Sequence, residues 1–227
     1  MPARAAAPDF DADAVRRALD AGLAAMDVDL DARIRARMVC YLQLLWRWNR
    51  TYNLTAVRDP LEMVPRHLLD SLSALPHVHG ARCLDVGSGA GLPGLVLALA
   101  DPATDWVLVD KSAKKCRFLT QARVELDLDN VRVEQRRVED FRPGRCFSTI
   151  ISRALSNLAD FVAGSEHLLA PGGRFIAMKG RDAEQELSPS GASGGYAGQI
   201  TVVPVQVPGI DHGQRHLVIV TPARGGN

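Results

Sequence analysis

The chain has 227 residues, room for one domain of ordinary size with an extension, and 47% of them are hydrophobic, enough to bury a sizeable core. Lys and Arg total 27 against 26 Asp and Glu, so the net charge of +1 points to no strongly charged partner, and any nucleic-acid contact must rest on a local patch. Four cysteines, Cys40, Cys83, Cys116 and Cys146, stand 30 to 43 residues apart with no CxxC pair. That spacing argues against a disulfide scaffold or a zinc site, so a cytoplasmic protein without a metal is expected.

The opening MPARAAAPDFDAD carries three aspartates and no apolar signal core, so it reads as a frayed tail rather than a targeting peptide. Up to about Leu75 the pattern is helical. Leu30, Ile34, Met38, Leu42, Leu45 and Trp46 recur at spacings of three and four and place a stripe on one helix face. Trp46 continues that stripe, whereas Trp48 faces elsewhere with partial exposure. Arg33, Arg35, Arg37, Arg47 and Arg50 fall mainly on other faces and read as a solvated surface, with an RNA-backbone patch as the alternative. Asp59 as N-cap, Pro60 at the first position and Glu62 three after the cap start another helix. Pro65 predicts a break, with PRHLLDSLSAL as a second short helix.

From Ala81 strands alternate with helices. ARCLDV, TDWVLVD ending at Asp110, NVRVEQRRV, FSTIISRAL ending near Arg153 and RFIAMKG read as strands. GLVLALA, KSAKKCRFLTQARVEL and NLADFVAGSEHLL read as helices between them, and Pro171-Gly172-Gly173 as a turn. This alternation predicts a mostly parallel sheet covered on both faces. The Gly/Ser-rich stretch 188–198 reads as a loop, after which QITVVPVQVP and RHLVIVTP predict an antiparallel hairpin at a sheet edge. Pro204 suits an edge strand, because it cannot donate to a ladder. The division expected is a helical extension over 1–78 and an α/β domain over 79–227. The longest uninterrupted apolar run, Leu95 to Ala100, is too short to span a bilayer, so no membrane partner is expected.

LDVGSGAGLPG (84–94) is the candidate ligand turn. A triphosphate loop needs GxxxxGK[ST], and no Lys-Ser or Lys-Thr directly follows these glycines. The dinucleotide pattern GxGxxG fits only from Gly89, too far past the strand. D-x-G-x-G-x-G is filled by Asp85, Gly87, Gly89 and Gly91, and it resembles the first motif of the S-adenosylmethionine-dependent methyltransferases. That cofactor has no phosphate for a carboxylate to repel, and glycines let the backbone approach it closely. Asp110, 25 residues past Asp85, stands where a second-strand acid takes both ribose hydroxyls. A purely structural turn with an incidental acid is the bland alternative. The resemblance implies a Rossmann-like class I fold, a seven-stranded sheet with an antiparallel C-terminal strand, and S-adenosylmethionine as cofactor.

NLTAV (53–57), RHLLDSL (66–72), LDVGSGAGLPG, ISRAL (151–155), LLAPGGRFIAMKG (168–180) and RHLVIV (215–220) together resemble the bacterial small-subunit ribosomal RNA guanine-N7 methyltransferases, the RsmG or glucose-inhibited division protein B family. The resemblance runs from about Trp46 to Val220. It implies methylation of N7 of guanine 527 in the 530 loop of 16S ribosomal RNA, with that RNA or the small subunit as partner and a monomeric enzyme. It implies cofactor contacts at Gly87 and Leu92, at Val138 and Glu139 beside the adenine, and at Arg153 near the active-site mouth. The chain departs from the family in DKSAKK (110–115), where DSLGKR is usual, so Lys111 adds a charge beside the ribose acid. It departs again in the Gly/Ser-rich stretch 188–198.

The chemistry agrees with that implication. Guanine N7 carries an in-plane lone pair, so it needs orientation rather than a general base. An exocyclic amine would call for [DN]-P-P-[YFW] after the fourth strand, where ISRA stands. Carbon-5 transfer would need a nucleophilic cysteine, and neither Cys116 nor Cys146 is suitably placed. Guanine O6 and N7 are acceptors, which makes Arg and Lys the natural readers. Lys179, Arg215 and His216 are candidate substrate contacts, Arg153 and Lys179 candidate catalytic residues, and Arg66 and His67 further candidates from the extension. Two rivals stay open: a methyltransferase of the same fold acting on another RNA, a protein or a small molecule, and a non-catalytic ribosome-binding module.

Overall fold

In a computed structural model that describes residues 9–153, 157–180, 198–210 and 215–223, the extension begins with two capped helices. The opening tail, most of stretch 188–198 and the end of ISRAL lie outside the described residues. Asp11 caps α1 (Ala12–Ala25) by accepting from the Asp13 and Ala14 N–H groups. Asp31 caps α2 (Ala32–Tyr52) through Ile34 N–H, and Asn53 ends that helix in the left-handed region. Both caps satisfy N–H groups that a helix start leaves without intrahelical partners.

Asp59 caps α3 (Pro60–Met63) as expected, its carboxylate accepting from Leu61 N–H. The break at Pro65 is not there. α3 runs without interruption into a π-helical stretch, Val64–Leu69, and then into α4 (Asp70–Leu72). The wider turn accommodates a residue with no N–H to give, and Asp70 N–H reaches the Pro65 carbonyl five residues back. That shift places Asp70 on the side facing the sheet, which matters below.

The strands are β1 (Arg82–Val86), β2 (Asp105–Asp110), β3 (Val131–Gln135), β4 (Phe147–Arg153), β5 (Leu169–Lys179), β6 (Gly198–Val205) and β7 (Arg215–Pro222). Among the described residues they form one seven-stranded sheet in the order β3-β2-β1-β4-β5-β7-β6. β1 to β5 are mutually parallel, β7 is antiparallel to β5, and β6 pairs antiparallel with β7 at the edge. The expected hairpin and the edge placement of Pro204 are both present. β3 is shorter than NVRVEQRRV suggested. The turn at Pro171–Gly173 is a bulge within β5: Phe147 pairs with Leu169 but Thr149 with Arg174, and the residues between are looped out.

α5 (Gly94–Ala100), α6 (Ala113–Glu125) and α7 (Leu158–Ser165) connect the strands. Alternate residues of each strand serve different layers, as a period of two requires. Trp106 and Leu108 of β2 face a core shared with α1 to α6, while Val107 and Val109 face a second core closed by Phe161 and Val162 of α7. The extension therefore packs into the same apolar layer as the helices of the α/β unit. Trp46 and Trp48 are both half-buried against that layer; Trp48 lies 5.6 Å from Phe118 of α6, edge to face.

The arginines of α2 are largely engaged within the chain. Arg37 donates to the carbonyls of Leu126 and Asp127 at the end of α6, Arg47 pairs with Glu125 at 3.3 Å, and Arg35 with Asp20 at 3.1 Å. They staple α2 to its neighbours and complement the negative end of α6.

Candidate active site

The strand order reverses at β1, between its neighbours β2 and β4. In open α/β sheets a ligand crevice lies outside the carboxyl ends of the strands at that point. Asp85 and the glycine turn stand at the end of β1, Asp110 at the end of β2, and Arg153 at the end of β4. Val138 and Glu139 lie in one 3-10 turn, Val138–Asp140, just past β3. Lys179 ends β5 and pairs with His216, so the antiparallel β7 brings Arg215 and His216 to the same edge. All the predicted site residues thus share one end of the sheet.

Asp85 is fully buried. Its Oδ2 accepts from Gly94 N–H at 2.9 Å, which ties β1 to the first residue of α5, while Oδ1 is buried without a partner. Burial pushes its carboxyl up to about 7, against the pull of the Gly94 N–H, the Ser88 hydroxyl and the nearby Arg153. Gly87 has φ +71° and its missing Cβ would meet nothing within 4 Å, so it borders open space. Gly87 N–H donates to the Val109 carbonyl at 2.8 Å, lashing the turn to β2. An orphaned carboxylate oxygen beside a backbone cradle suits a cationic ligand end in close contact with the chain.

Asp110 holds the next segment. Its Oδ2 accepts from Gly89 N–H at 3.0 Å and its Oδ1 from Ser112 N–H at 2.8 Å. The cation beside it is Lys115, with Nζ 3.5 Å from Oδ2, whereas Lys111 is exposed. One helical turn brings Lys115 back over the acid, which adjacency in sequence does not do for Lys111. Carboxylate oxygens have lone pairs to spare after one bond each, so Asp110 retains acceptor capacity. Leu92 is buried, its side chain in the core and its N–H on the Ser88 carbonyl. Glu139 is exposed and packs beside Gly164 of α7, and its carbonyl accepts from Arg142 at 2.7 Å.

Arg153, Lys179, Arg215 and His216 line one cavity of about 250 Å³, together with Asp70, Ser73, Met178 and Leu217. Two residues of this region are not among the candidates read from the sequence. Asp70 is 3% exposed and lies 3.1 Å from Arg153 Nη1 and 3.2 Å from Arg215 Nε. Tyr41 of α2, fully buried, donates its hydroxyl to the Ala90 carbonyl at 2.7 Å, between two glycines of the turn. Its burial raises the phenol's pKa, so the proton that makes this bond is retained. Tyr41 was not among the stripe residues read from the sequence; its place three after Met38, at helical spacing, was the available clue.

The candidates from the extension divide. Arg66 turns its side chain to Glu62 at 3.6 Å, and its carbonyl accepts from Arg153 at 2.9 Å. His67 is buried with Nε2 3.0 Å from the Thr55 hydroxyl, and burial, reinforced by Arg153, lowers its pKa to about 4. It is a neutral packing residue. Among the described residues no three His, Cys, Asp or Glu side chains gather as a metal site, and no helix is long and apolar enough to cross a membrane.

A 3-2-1-4-5-7-6 sheet whose first strand ends in a buried acid and a glycine cradle defines the class I S-adenosylmethionine-dependent methyltransferases. Solved structures of that fold align with it: a SAM-dependent methyltransferase from Aquifex aeolicus has a TM-score of 0.53 at 17% identity, over 71% of this chain and 93% of that one. The YcgJ protein of Bacillus subtilis gives 0.51 at 16% identity, over 70% and 100%. The particular family comes from sequence. The model of the GidB family, rRNA small subunit methyltransferase G, matches residues 34–218, and the chain belongs to that family. It is 48% identical over 209 residues to the ribosomal RNA small subunit methyltransferase G of Nitrosococcus oceani, covering 92% of this chain and 96% of the relative. It is 55% identical over 170 residues to that of Chromohalobacter salexigens, covering 75% and 81%.

Proposed function

We propose that this protein transfers the methyl group of S-adenosylmethionine to N7 of guanine 527 in the 530 loop of 16S ribosomal RNA, in the cytoplasm. The observation that carries the reading is the convergence of Arg153, Lys179 and Arg215 on one cavity, at the same end of the sheet as Asp85 and Asp110 at the ends of β1 and β2. The bound cofactor supplies an electrophilic methyl on a sulfonium. Asp85 holds the cationic methionine end, and Asp110 accepts from the ribose hydroxyls. The cations orient the acceptor base: with N7 turned to the methyl, O6 and the flanking phosphates are left for Arg and Lys.

No proton has to leave N7, so the site needs no base. The cysteines agree with this. Cys83 is buried, its thiol pushed up to about 12 by burial, and burial also raises Cys116, while Cys146 precedes β4 at the far end of the strand. Carbon methylation would require an activated thiolate at the crevice, and burial works against one at Cys83 and Cys116.

Labelled methyl transfer to small-subunit RNA from cells lacking the modification, followed by nucleoside mass spectrometry, tests the reading. The expected product is 7-methylguanosine at one site; label in another nucleoside, in protein or in a small molecule defeats it. Lys179→Ala is expected to slow transfer more than it weakens S-adenosylhomocysteine binding. Equal losses would put Lys179 at the cofactor instead.

A further inference from the structure

Asp70 lies in the helical extension, far in sequence from the strands whose arginines it meets. Its carboxylate is 5% exposed, while the side chains of Arg153 and Arg215 keep 22% and 31% exposure toward the cavity. Arg153 Nη1 is held twice, by Asp70 Oδ2 at 3.1 Å and by the Arg66 carbonyl at 2.9 Å. The π-helical stretch sets both acceptors, since Arg66 and Asp70 belong to its turn and its end. Arg215 Nε sits 3.2 Å from the other oxygen, Asp70 Oδ1, at ion-pair distance but without hydrogen-bond alignment. β4 and β7 flank β5, so one carboxylate spans the end of β5 and draws two guanidinium groups together above it.

Two guanidinium groups drawn to one carboxylate repel each other and, on flexible stems, each has about 2 kcal/mol of rotamer entropy to lose when a ligand fixes it. A buried anion between them removes the repulsion and fixes them before any ligand arrives. A guanidinium has five N–H donors. Among the described residues Arg153 bonds Asp70 and the Arg66 carbonyl through Nη1, and its Nη2 and Nε are the donors that could meet an acceptor in the cavity. The trio keeps a net positive charge, which suits phosphate or a base carbonyl.

We propose that Asp70 is a positioning residue for the RNA substrate: its carboxylate clamps Arg153 and Arg215 side by side, so that the target nucleotide meets prearranged donors. The clamp rests on the RNA reading for its ligand, but not for its geometry. Preorganisation of this kind lowers the cost of binding, so its loss appears in the substrate term rather than the cofactor term.

The test combines a kinetic cycle with a direct view of the arginines. Asp70→Asn, Arg215→Met and the double variant are compared for RNA KM, kcat and S-adenosylhomocysteine affinity. Asp70→Asn is expected to raise RNA KM about tenfold, the size of one charge-assisted hydrogen bond, with cofactor affinity within about twofold of wild type. In the Arg215→Met background the effect is expected to shrink, because one arm of the clamp is already gone. Effects that simply multiply, or an equal loss of cofactor affinity, overturn the proposal. Should Asp70→Asn fail to fold, nitrogen-15 spectra of arginine side chains in the wild-type protein decide: clamped guanidinium groups show slow rotation about Cζ–Nε. Free rotation of Arg153 and Arg215 in a wild-type enzyme active on RNA removes the clamp. Slow rotation in a wild-type protein inert on every RNA keeps the clamp and removes the RNA reading.

Discussion

Gly94 and Gly87 lie in one turn, yet the same change to alanine is expected to fail in different ways. A Cβ on Gly94 would stand 2.5 Å from Leu108 Cδ2, 2.6 Å from Asp85 Cβ and 2.7 Å from Asp85 Oδ2. Leu108 and Asp85 belong to β2 and β1, two neighbouring inner strands of the sheet that cannot withdraw, so α5 must move. Overpacking of that kind costs about 1–3 kcal/mol. Displacing Gly94 N–H from the carboxylate it meets at 2.9 Å adds to the loss, for a bond type worth about 1.5–3 kcal/mol. Alanine's smaller unfolded-state entropy returns about 0.4–1 kcal/mol. A net loss of about 3 kcal/mol lowers Tm by roughly 6–12 °C in a chain of this size. Cofactor affinity should fall with it, because the same shift moves Asp85.

Gly87→Ala meets no atom within 4 Å, so only its φ of +71° is strained, costing about 1–2 kcal/mol. Its methyl enters the crevice and blocks close approach of a ligand. Thermal unfolding followed by circular dichroism and S-adenosylhomocysteine titration calorimetry separate the two outcomes. Gly94→Ala is expected to lose stability and binding, Gly87→Ala mainly binding. A Gly94→Ala protein melting within about 2 °C of wild type, or a Gly87→Ala protein with unchanged affinity, refutes the packing argument.

Asp85 links binding to pH. In the ligand-free protein its raised pKa makes its contribution to stability complete below its ordinary value near 3.8 and lost as pH rises through about 7. A cationic ligand end favours the carboxylate, so affinity should weaken as pH falls below about 7 and binding near pH 6 should release a proton. Calorimetry at pH 6 in two buffers of different ionisation enthalpy measures that proton, and equal heats would contradict it; Asp85→Asn should abolish the difference. Tyr41→Phe leaves the Ala90 carbonyl without its buried donor, at about 1–3 kcal/mol. It should also weaken S-adenosylhomocysteine binding several-fold through the loosened turn, and an unchanged titration would separate α2 from the cofactor loop.

What the sequence by itself determined is what short-range chemistry writes into it. The helix cap at Asp59 follows from a side chain accepting a nearby N–H group. The strand-helix alternation, the edge hairpin and the turn after β1 likewise rest on local periodicity, proline and glycine. These signals also placed Asp85, Asp110, Arg153, Lys179, Arg215 and His216 at strand ends, hence at one edge of the sheet. Only the tertiary structure decided which charges meet. Asp70 and Arg153 are 83 residues apart, and Arg37 reaches a carbonyl 89 residues away. No periodicity encodes such pairs: in sequence Asp70 is one acid in a helical run, and the arginines of α2 look like a solvated face. The π turn past Pro65 belongs with these, because the stretch packs against α1, where Leu69 meets Gly22, and continues the helix in spite of the proline. The glycine turn was legible because its chemistry is local; the meeting of Asp70 with Arg153 and Arg215 was not, because three distant segments build it.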